Sequence, residues 1–462
     1  MQNKPTIIIA GASGFIGNNL INELSEKYNV KALSRKNLKS DKVNWVKCDL
    51  YNLRETEEAF NGCDYLVYLV HSMNKGTRLT QAEFEDLDLI IADNAAKAAK
   101  KSQLKQIIYL GGIIPPNEEN LSRHLKSRQE VETILSCSGI PVTRIRAAII
   151  IGAGSTSFKM VFSLVKKLKF MICPKWTNSL SYPVDVDDVV KMISLSIANE
   201  ETYNETIDAF GPEKLTYIEF MQMTAKSLGL KRYIYPISFS TLYLSKFWVV
   251  LITGQYYEIV SPLVDSLKYN MIPKNIKLFQ KYIPNPISLK QSLDKAIAKE
   301  KETKKKIIKL SKSELLENNV RSVQRLFLPD GWNAIDVAQE YTKWLPKFLF
   351  FFIRSQIEGE YIHFKLFGIK LLTLYHSTDR SSLDRQLFYI RGGFLVKKPV
   401  FPNARLEFRI SPHEQSVVAA IHDFYPSLPW YIYRFTQAVA HALVMELFNK
   451  FLREKSLNKE AL

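Results

Sequence analysis

Two kinds of segment alternate along the first third of the chain, short apolar runs and longer stretches with helical periodicity. The run at 65–70 is unbroken, which is typical of a strand buried on both faces of a parallel sheet. The strand-like runs are 5–10, 30–36, 43–48, 65–70, 106–110 and 141–152, and the helical stretches are 18–28, 53–60, 81–100 and 123–137. The alternation predicts an α/β fold, a doubly wound parallel sheet that binds ligands at the carboxyl ends of its strands.

The turn after the first strand is rich in glycine. Gly11 would permit the tight turn, Gly14 the close approach of the backbone to a phosphate, and Gly17 close packing of helix on strand. The turn therefore predicts a Rossmann-type dinucleotide site with the pyrophosphate at the helix N-terminus, although glycines also mark plain strand-to-helix turns. The turn residues predicted to contact the cofactor are Gly11, Ser13, Gly14, Phe15, Ile16 and Gly17.

The second strand ends in Ser34, Arg35 and Lys36, where a site for NAD would carry an acidic residue. An arginine suits a ribose 2′-phosphate, so NADP is favoured over NAD, unless Arg35 only caps the strand end. Asp49 and Leu50 follow the third strand and are predicted to contact the adenine, although Asp49 could instead cap the next helix.

These motifs, together with residues 182–189, resemble the extended and atypical short-chain dehydrogenase/reductase superfamily. The resemblance covers roughly residues 5–300 and implies a Rossmann fold and use of NADP. Active members carry Tyr-x-x-x-Lys on the helix after the fifth strand and a Ser or Thr at the end of that strand. Here His124 and Arg128 occupy the Tyr and Lys positions, and Gly111 stands at the Ser/Thr position.

The resemblance therefore leaves the chemistry open. His124 is the candidate proton donor because an ordinary histidine titrates near neutral pH, and Arg128 would orient the nicotinamide ribose. His71, Gly111 and Gly112 lie at predicted strand ends and would form the edge where hydride passes. The alternative is that His124 is a surface residue of its helix.

In the last third of the chain the spacing of apolar residues changes, and most of the predicted elements are strands. A strand is predicted at 319–328 and one or two helices at 334–352. Further strands are predicted at 361–367, 370–375, 386–396, 404–410 and 415–422, followed by one long helix at 430–453. This order is similar to an α+β helix-grip, or START-like, domain, which would hold a hydrophobic ligand between sheet and helix. The fusion resembles a poorly characterised bacterial branch of NAD(P)-dependent oxidoreductases with a C-terminal domain of unknown function.

Two sets of polar residues stand out in this second domain, one in a predicted strand and one in the last helix. Arg405, Glu407 and Arg409 alternate with apolar residues, which predicts a strand with one solvated face. Arg434, Gln437 and His441 share one face of the last helix and would either anchor the polar end of a ligand or face solvent.

Length and charge set the domain organisation. A chain of 462 residues predicts two domains, placed at 1–295 and 316–462 with a lysine-rich connector at 296–315. The formal charge is +17, and the eight lysines between Lys295 and Lys312 form either a solvated run or a contact with an anionic membrane surface. No nucleic-acid motif accompanies them.

The four cysteines have neither zinc-site nor disulfide spacing, so no metal is expected. The first strand starts at once and the longest apolar runs are short, which predicts a soluble cytoplasmic protein, or one peripheral to the inner face of the membrane. Aromatic residues are frequent in 233–267 and would line an apolar pocket or fill a core.

The functional prediction is an NADP-dependent oxidoreductase acting on a lipophilic carbonyl, enone or quinone-like substrate. The alternative is a non-catalytic NADP-binding sensor or scaffold that carries a hydrophobic ligand or partner.

Overall fold

The computed structural model describes residues 4–40, 43–72, 77–115, 121–237, 242–306, 317–348, 353–398 and 402–460. The chain forms two compact units, Met1–Met73 with Asp88–Ser311, and Asn74–Leu87 with Lys312–Leu462. Residues 74–87, which the sequence analysis placed in the first domain, thus belong to the second unit. No helix among the described residues is both long and apolar enough to cross a membrane.

The first unit contains thirteen strands and eleven helices in its described residues, numbered along the whole chain. The strands are β1 (Thr6–Ala10), β2 (Asn29–Ser34), β3 (Asn44–Lys47), β4 (Tyr65–Tyr68), β6 (Gln106–Gly112), β7 (Val142–Ala147), β8 (Ile150–Ile151), β9 (Phe170–Pro174), β10 (Leu180–Ser181), β11 (Val184–Asp185), β12 (Thr206–Ala209), β13 (Leu215–Thr216) and β14 (Tyr233–Ile237). The helices are α1 (Phe15–Leu24), α2 (Leu53–Phe60), α3 (Phe84–Lys101, whose first four residues belong to the second unit), α4 (Arg123–Ser136), α5 (Thr156–Lys167), α6 (Val186–Ser196), α7 (Tyr217–Ser227), α8 (Leu242–Thr253), α9 (Tyr257–Ser266), α10 (Lys277–Tyr282) and α11 (Leu289–Lys306).

Seven of these strands form one parallel sheet in the order β12-β7-β6-β4-β1-β2-β3. The strand order reverses between β1 and β4, so a crevice opens there at the carboxyl edge. The predicted Rossmann fold is therefore confirmed for this part of the chain.

One face of the sheet packs in a buried apolar cluster. Ile7 and Ile9 of β1, Val67 of β4 and Ile108 of β6 are fully buried in one cluster, against Leu20 of α1. Branched residues dominate these strands because they pack well on a pleated surface. This core fixes the strand ends that carry the candidate site.

The second unit is built on an eight-stranded sheet. Its elements are β5 (Thr77–Gln81), β15 (Glu317–Phe327), α12 (Ala334–Phe348), β16 (Ile353–Glu358), β17 (Tyr361–Leu366), β18 (Ile369–His376), β19 (Arg385–Gly392), β20 (Arg405–Ile410), β21 (Ser416–Phe424), α13 (Trp430–Phe435) and α14 (Gln437–Glu460). The strand order is β16-β17-β18-β19-β20-β21-β15-β5, antiparallel throughout except for the parallel β15–β5 pair. The sheet is therefore mixed, and the helix-grip arrangement stays a prediction.

Three features of this unit differ from the sequence prediction. Strand β16 was not predicted, and the predicted single helix at 430–453 is broken at Thr436, where α13 ends and α14 begins. The expectation of a solvated strand face is wrong, because Arg405, Glu407 and Arg409 are buried. Glu407 forms ion pairs with Arg385 at 2.7 Å and with Arg409 at 3.2 Å, which compensates the buried charges.

Candidate cofactor and active site

The predicted phosphate turn has the geometry of a cradle. Gly11 adopts a φ of +88°, in the left-handed region that favours glycine, and its carbonyl accepts a bond from Gly14 N at 2.9 Å. A Cβ on Gly17 would lie 2.5 Å from Gly11 O and 2.6 Å from Ala12 Cα, both backbone atoms that cannot move aside cheaply. Glycine is therefore required at Gly17 for α1 to begin this close to β1.

The N-terminus of α1 is left open to a ligand. Its N-cap, Gly14, makes no side-chain cap, and the first turn contains no acidic residue. The first backbone N–H groups of a helix have no partner within the helix, so this end attracts an anion such as a phosphate. Ser13 is exposed beside it, whereas Phe15 packs against Gly152, where an added Cβ would lie 2.7 Å from the Phe15 ring.

The turn after β2 leaves a basic side chain exposed, as a site for a ribose 2′-phosphate requires. Ser34 is buried, and its hydroxyl accepts a bond from Lys36 N at 3.1 Å, which shapes the turn. Arg35 is exposed, and within the described residues its side chain forms no ion pair. Its guanidinium is therefore available to a phosphate.

Asp49 and Leu50 have local structural partners. Asp49 accepts a bond from Tyr51 N at 3.2 Å and its own N–H donates to Glu55 at 2.9 Å. Leu50 is buried, and its carbonyl accepts from Asn94 at 2.8 Å. The N-cap of α2 is Asn52, whose side chain accepts a bond from Arg54 N at 3.1 Å, so the alternative that Asp49 caps this helix is wrong. Adenine contact by Asp49 and Leu50 stays a prediction.

A buried ion pair lies beneath the carboxyl edge of the sheet. Arg128 of α4 is paired with Asp88 of α3, and both side chains are almost fully buried. Asp88 also accepts bonds from Ser72 N at 2.7 Å and from the Ser127 hydroxyl at 2.9 Å. The carboxylate thus ties the loop after β4 to α4. While it is paired in this way, Arg128 acts within the protein and is not free to reach a ribose.

The two histidines predicted to be catalytic lie close to this pair. Burial lowers the pKa of His124 to about 3, with Arg128 and then His71 adding to the effect. The pKa of His71 is also lowered, by desolvation first and by Arg128 second, while Asp88 opposes the shift. His124 lies one turn before Arg128 on α4, and Arg128 donates to Val70 O, next to His71, at 3.4 Å. The structure therefore brings His71, His124 and Arg128 together. However, His124 is a neutral imidazole at physiological pH, so the premise that it titrates near neutral pH does not hold.

His124 has an unused polar atom. Its Nδ1 is buried without a hydrogen-bond partner among the described residues. A buried unpaired nitrogen is costly unless a ligand or water supplies the missing bond. The Nδ1 atom of His124 therefore retains an unused capacity for one hydrogen bond.

Gly111 lies over a buried tyrosine. A Cβ on Gly111 would stand 2.7 Å from the ring of Tyr109, whose hydroxyl donates to Arg128 O at 2.9 Å. Tyr68 of β4 is also fully buried, and its hydroxyl has no partner among the described residues. Burial raises the pKa of both phenols. Glycine at 111 keeps room above Tyr109, in place of the expected Ser or Thr.

Sequence reasoning missed the group that organises this site. Asp88 lies inside a helix predicted only by its periodicity, and one carboxylate among many carries no motif. The available signal was its neighbourhood: the segment at 84–101 is apolar and alanine-rich, so an acid on its buried face requires a partner.

The aromatic segment and the lysine-rich connector differ from their predicted roles. Tyr235, Phe247, Trp248, Tyr256 and Tyr257 are exposed, so they do not fill a core, and the apolar pocket stays a prediction. The side chains of Phe239 and Tyr243 lie outside the described residues. Lys295 pairs with Asp187 at 2.6 Å and with Asp185 at 3.4 Å, and the connector beyond residue 306 also lies outside them.

The polar stripe of the last helix is split between solvent and interior. Arg434 is exposed on α13, whereas Gln437 Oε1 and His441 Nε2 are buried without a partner among the described residues. Burial lowers the pKa of His441 to about 4. Two polar atoms therefore face the interior of the second unit unpaired.

Residues 11–167 match a family of proteins described as NAD(P)H-binding. The match spans the glycine cradle, Arg35 and the histidine pair. The chain therefore contains an NAD(P)H-binding Rossmann domain. The cofactor prediction is confirmed at this level.

A segment of 119 residues is 33% identical to the auxiliary protein GraX of Staphylococcus aureus, which amounts to 25% of this chain and 39% of that protein. Among solved structures, a nucleoside-diphosphate-sugar epimerase from Staphylococcus aureus is 17% identical with a TM-score of 0.51, covering 63% of this chain and 99% of its own. UDP-glucose 4-epimerase with UDP-glucose from Thermotoga maritima is 13% identical with a TM-score of 0.50, covering 64% and 99%. At these identities the structural likenesses show the fold alone.

Proposed function

We propose that the protein is an NADP-dependent oxidoreductase of the atypical short-chain dehydrogenase type, acting on a lipophilic carbonyl, enone or quinone-like compound. The observation that supports this proposal is that His124 lies one turn before Arg128 on α4, while Arg128 donates at 3.4 Å to the carbonyl of Val70, the residue before His71. Ligands of such sheets bind at the carboxyl edge of the strands.

The chain's own residues fit the cofactor. The cradle would hold the pyrophosphate at Gly11, Ser13, Gly14, Ile16 and Gly17, because α1 is uncapped and a Cβ would fill the space at position 17. Ser34 would shape the turn from which Arg35 meets a 2′-phosphate through charge-assisted hydrogen bonds. When bound, NADPH supplies a hydride.

The neutral histidines suit a carbonyl acceptor. A neutral imidazole can polarise a carbonyl by donating a hydrogen bond, without first losing or gaining a proton. In this scheme the ring of His124 donates to the substrate oxygen, and its buried partnerless nitrogen gains a bond on ligand binding. His71, which is exposed, relays a proton from solvent to the oxygen as it becomes an alcohol. Burial, with a smaller contribution from Arg128, lowers the pKa of both rings and keeps them neutral. Arg128 is a positioning residue.

The experiment measures NADPH oxidation across a panel of quinones, enones and long-chain aldehydes. His124→Ala should lower turnover roughly a hundredfold, since general acid-base groups contribute factors of that size. His124→Gln keeps an N–H donor and should retain part of the activity, and both variants should bind NADPH as the parent does. Unchanged turnover in His124→Ala would remove this residue from the mechanism.

A second function is favoured by two observations. The Tyr-x-x-x-Lys pair is replaced by His124 and Arg128, and a partial relative is named an auxiliary protein. The alternative is a sensor or scaffold that binds NADP without turnover, with the unpaired Gln437 and His441 holding the polar end of a hydrophobic ligand. Tight NADPH binding with no oxidation over the whole panel would favour this alternative.

A further inference from the structure

A two-stranded ribbon of the first unit is apolar on both of its faces. Strands β9 and β14 pair in parallel, with Tyr233 opposite Phe170 and Tyr235 opposite Ile172. On the inner face, Met171 and Cys173 pack in a buried cluster. A sheet with one solvated face normally carries polar residues outward, so an apolar outer face requires an explanation.

The outer face is strongly exposed. Phe170 is 60% and Ile172 71% accessible, and Tyr233 stacks on Phe170 with ring centroids 5.2 Å apart. We call this surface the ribbon face; it consists of Phe170, Ile172, Tyr233, Tyr235 and Ile237. All five of its side chains are large and exposed.

Helix α8 extends the exposed apolar surface. Phe247, Trp248 and Leu251 are exposed on it, and Tyr256, which follows it, is 76% accessible. The end of α8 lies beside the approach to β9, because Lys167 donates to Ile252 O. With 12 residues, α8 is about 18 Å long, which is too short to span a bilayer but is compatible with lying in its interface.

The two segments that carry the ribbon face and α8 are basic. Segments 156–184 and 220–257 contain five and four lysines and arginines respectively, and neither contains an acidic residue. Two of these lysines, Lys159 and Lys246, pair with acids from other segments. Lys166, Lys169 and Lys231 are exposed, and the described residues include no ion-pair partner for them. The Lys169 ammonium lies 5.9 Å from the Phe170 ring centroid, directly at the ribbon face.

We propose that the ribbon face and α8 dock the protein on an anionic lipid surface. Exposed aromatic residues bordered by lysines match such a surface, because aromatic rings settle at the level of the headgroups and lysines meet anionic lipids. This surface differs from the lysine run between Lys295 and Lys312. A protein partner would need acidic groups around an apolar patch, whereas an anionic bilayer supplies both features by its composition.

The test is co-sedimentation of the full-length protein with vesicles of 30% phosphatidylglycerol and 70% phosphatidylcholine, in 0.1 M and 0.5 M salt, with pure phosphatidylcholine as the neutral arm. Binding should require phosphatidylglycerol and weaken at high salt. Phe170→Ser/Ile172→Ser should weaken it roughly tenfold or more, since two large apolar side chains are removed. Lys169→Gln/Lys231→Gln should weaken it roughly fivefold per lysine.

The matched control is Phe367→Ser/Ile369→Ser, which removes the same two residue types from the second unit, where they are 78% and 59% accessible. This variant should bind as the parent does. NADPH binding by all variants verifies that the first unit is folded, and it does not depend on whether the protein is catalytic.

Three results would overturn the proposal: no binding to anionic vesicles, equal binding by the ribbon-face variant, or loss of binding only in Lys304→Gln/Lys305→Gln/Lys306→Gln. A concentration-dependent dimer that the ribbon-face substitutions abolish, without vesicle binding, would also overturn it and assign the face to a second copy of the chain.

Discussion

Replacing Asp88 by asparagine tests whether the buried ion pair organises the candidate site. The substitution keeps an oxygen that can accept from Ser72 N, but it leaves the charge of Arg128 buried and unpaired. Breaking a buried pair from one side costs about 3–5 kcal/mol, and we expect about 3 kcal/mol here because one bond survives. Melting temperatures of large domains fall by roughly 2 °C per kcal/mol, so the transition of the first unit should drop by about 6 °C.

The assay is thermal unfolding followed by near-UV circular dichroism, with Asp187→Asn as the matched control. Asp187 pairs with Lys295 at 2.6 Å, but both side chains are about half exposed, and such pairs contribute at most about 1 kcal/mol. The double variant Asp88→Asn/Arg128→Gln should recover about 1 kcal/mol or more relative to Asp88→Asn, because the unpaired charge is gone. If Asp88→Asn costs no more than the control, or the double variant is worse than the sum of its parts, the reasoning fails.

Three further predictions address the cofactor site and the second unit. Arg35→Gln should raise the dissociation constant of NADPH roughly tenfold to a hundredfold, because a charge-assisted phosphate contact is lost, and should leave that of NADH unchanged. Calorimetry measures both constants, with Arg54→Gln as the control. Equal effects on both cofactors would contradict the assignment. Gly17→Ala should abolish NADPH binding, whereas Gly112→Ala, whose added Cβ meets only Leu125 at 3.5 Å, should not. Burial lowers the pKa of His441 to about 4, so the unfolded chain binds more protons between pH 4 and 6.5 and stability falls as pH drops through that window, by up to about 1.4 kcal/mol per pH unit. His441→Gln should flatten this slope in melts from pH 7 to 4.5, and an unchanged slope would assign the effect to other groups.

Local patterns were sufficient to predict the cofactor half. The predicted strand 106–110 and helix 53–60 correspond to β6 and α2, because apolar runs and helical periodicity are properties of neighbouring residues. The cradle could also be predicted locally, since the atoms that require glycine at Gly17 belong to Gly11 and Ala12, a few residues earlier. The choice between strand and helix was therefore secure wherever the period was clear.

The pairing of strands that are distant in sequence could not be predicted from local patterns. Strand β5 joins the sheet of the second unit beside β15, about 240 residues later in sequence, and no local pattern at 77–81 indicates that partner. The exposed ribbon face was also missed, because an aromatic-rich segment is normally buried and the sequence predicts apolarity, not accessibility. Alternating charged and apolar residues usually indicate one solvated strand face, but here Arg405, Glu407 and Arg409 are buried. The type of each residue can be read from the sequence, but its accessibility cannot.

The charge balance at the sheet edge bears on how any chemistry there proceeds. In the family pattern a lysine renders a tyrosine acidic, but here the cation at that position, Arg128, is neutralised by Asp88. Burial raises the pKa of the nearby phenols Tyr68 and Tyr109 and lowers that of His124 to about 3, so none of the three changes protonation between pH 5 and 8. An enzyme using this site would then show a turnover nearly independent of pH across that range, apart from what His71 contributes. A bell-shaped profile centred near neutral pH would instead require an ionisable group besides His71, Tyr68, Tyr109 and His124, because His71 alone supplies at most the acidic limb. Such a profile would separate His124 from the proton transfer even if its substitution lowered the rate.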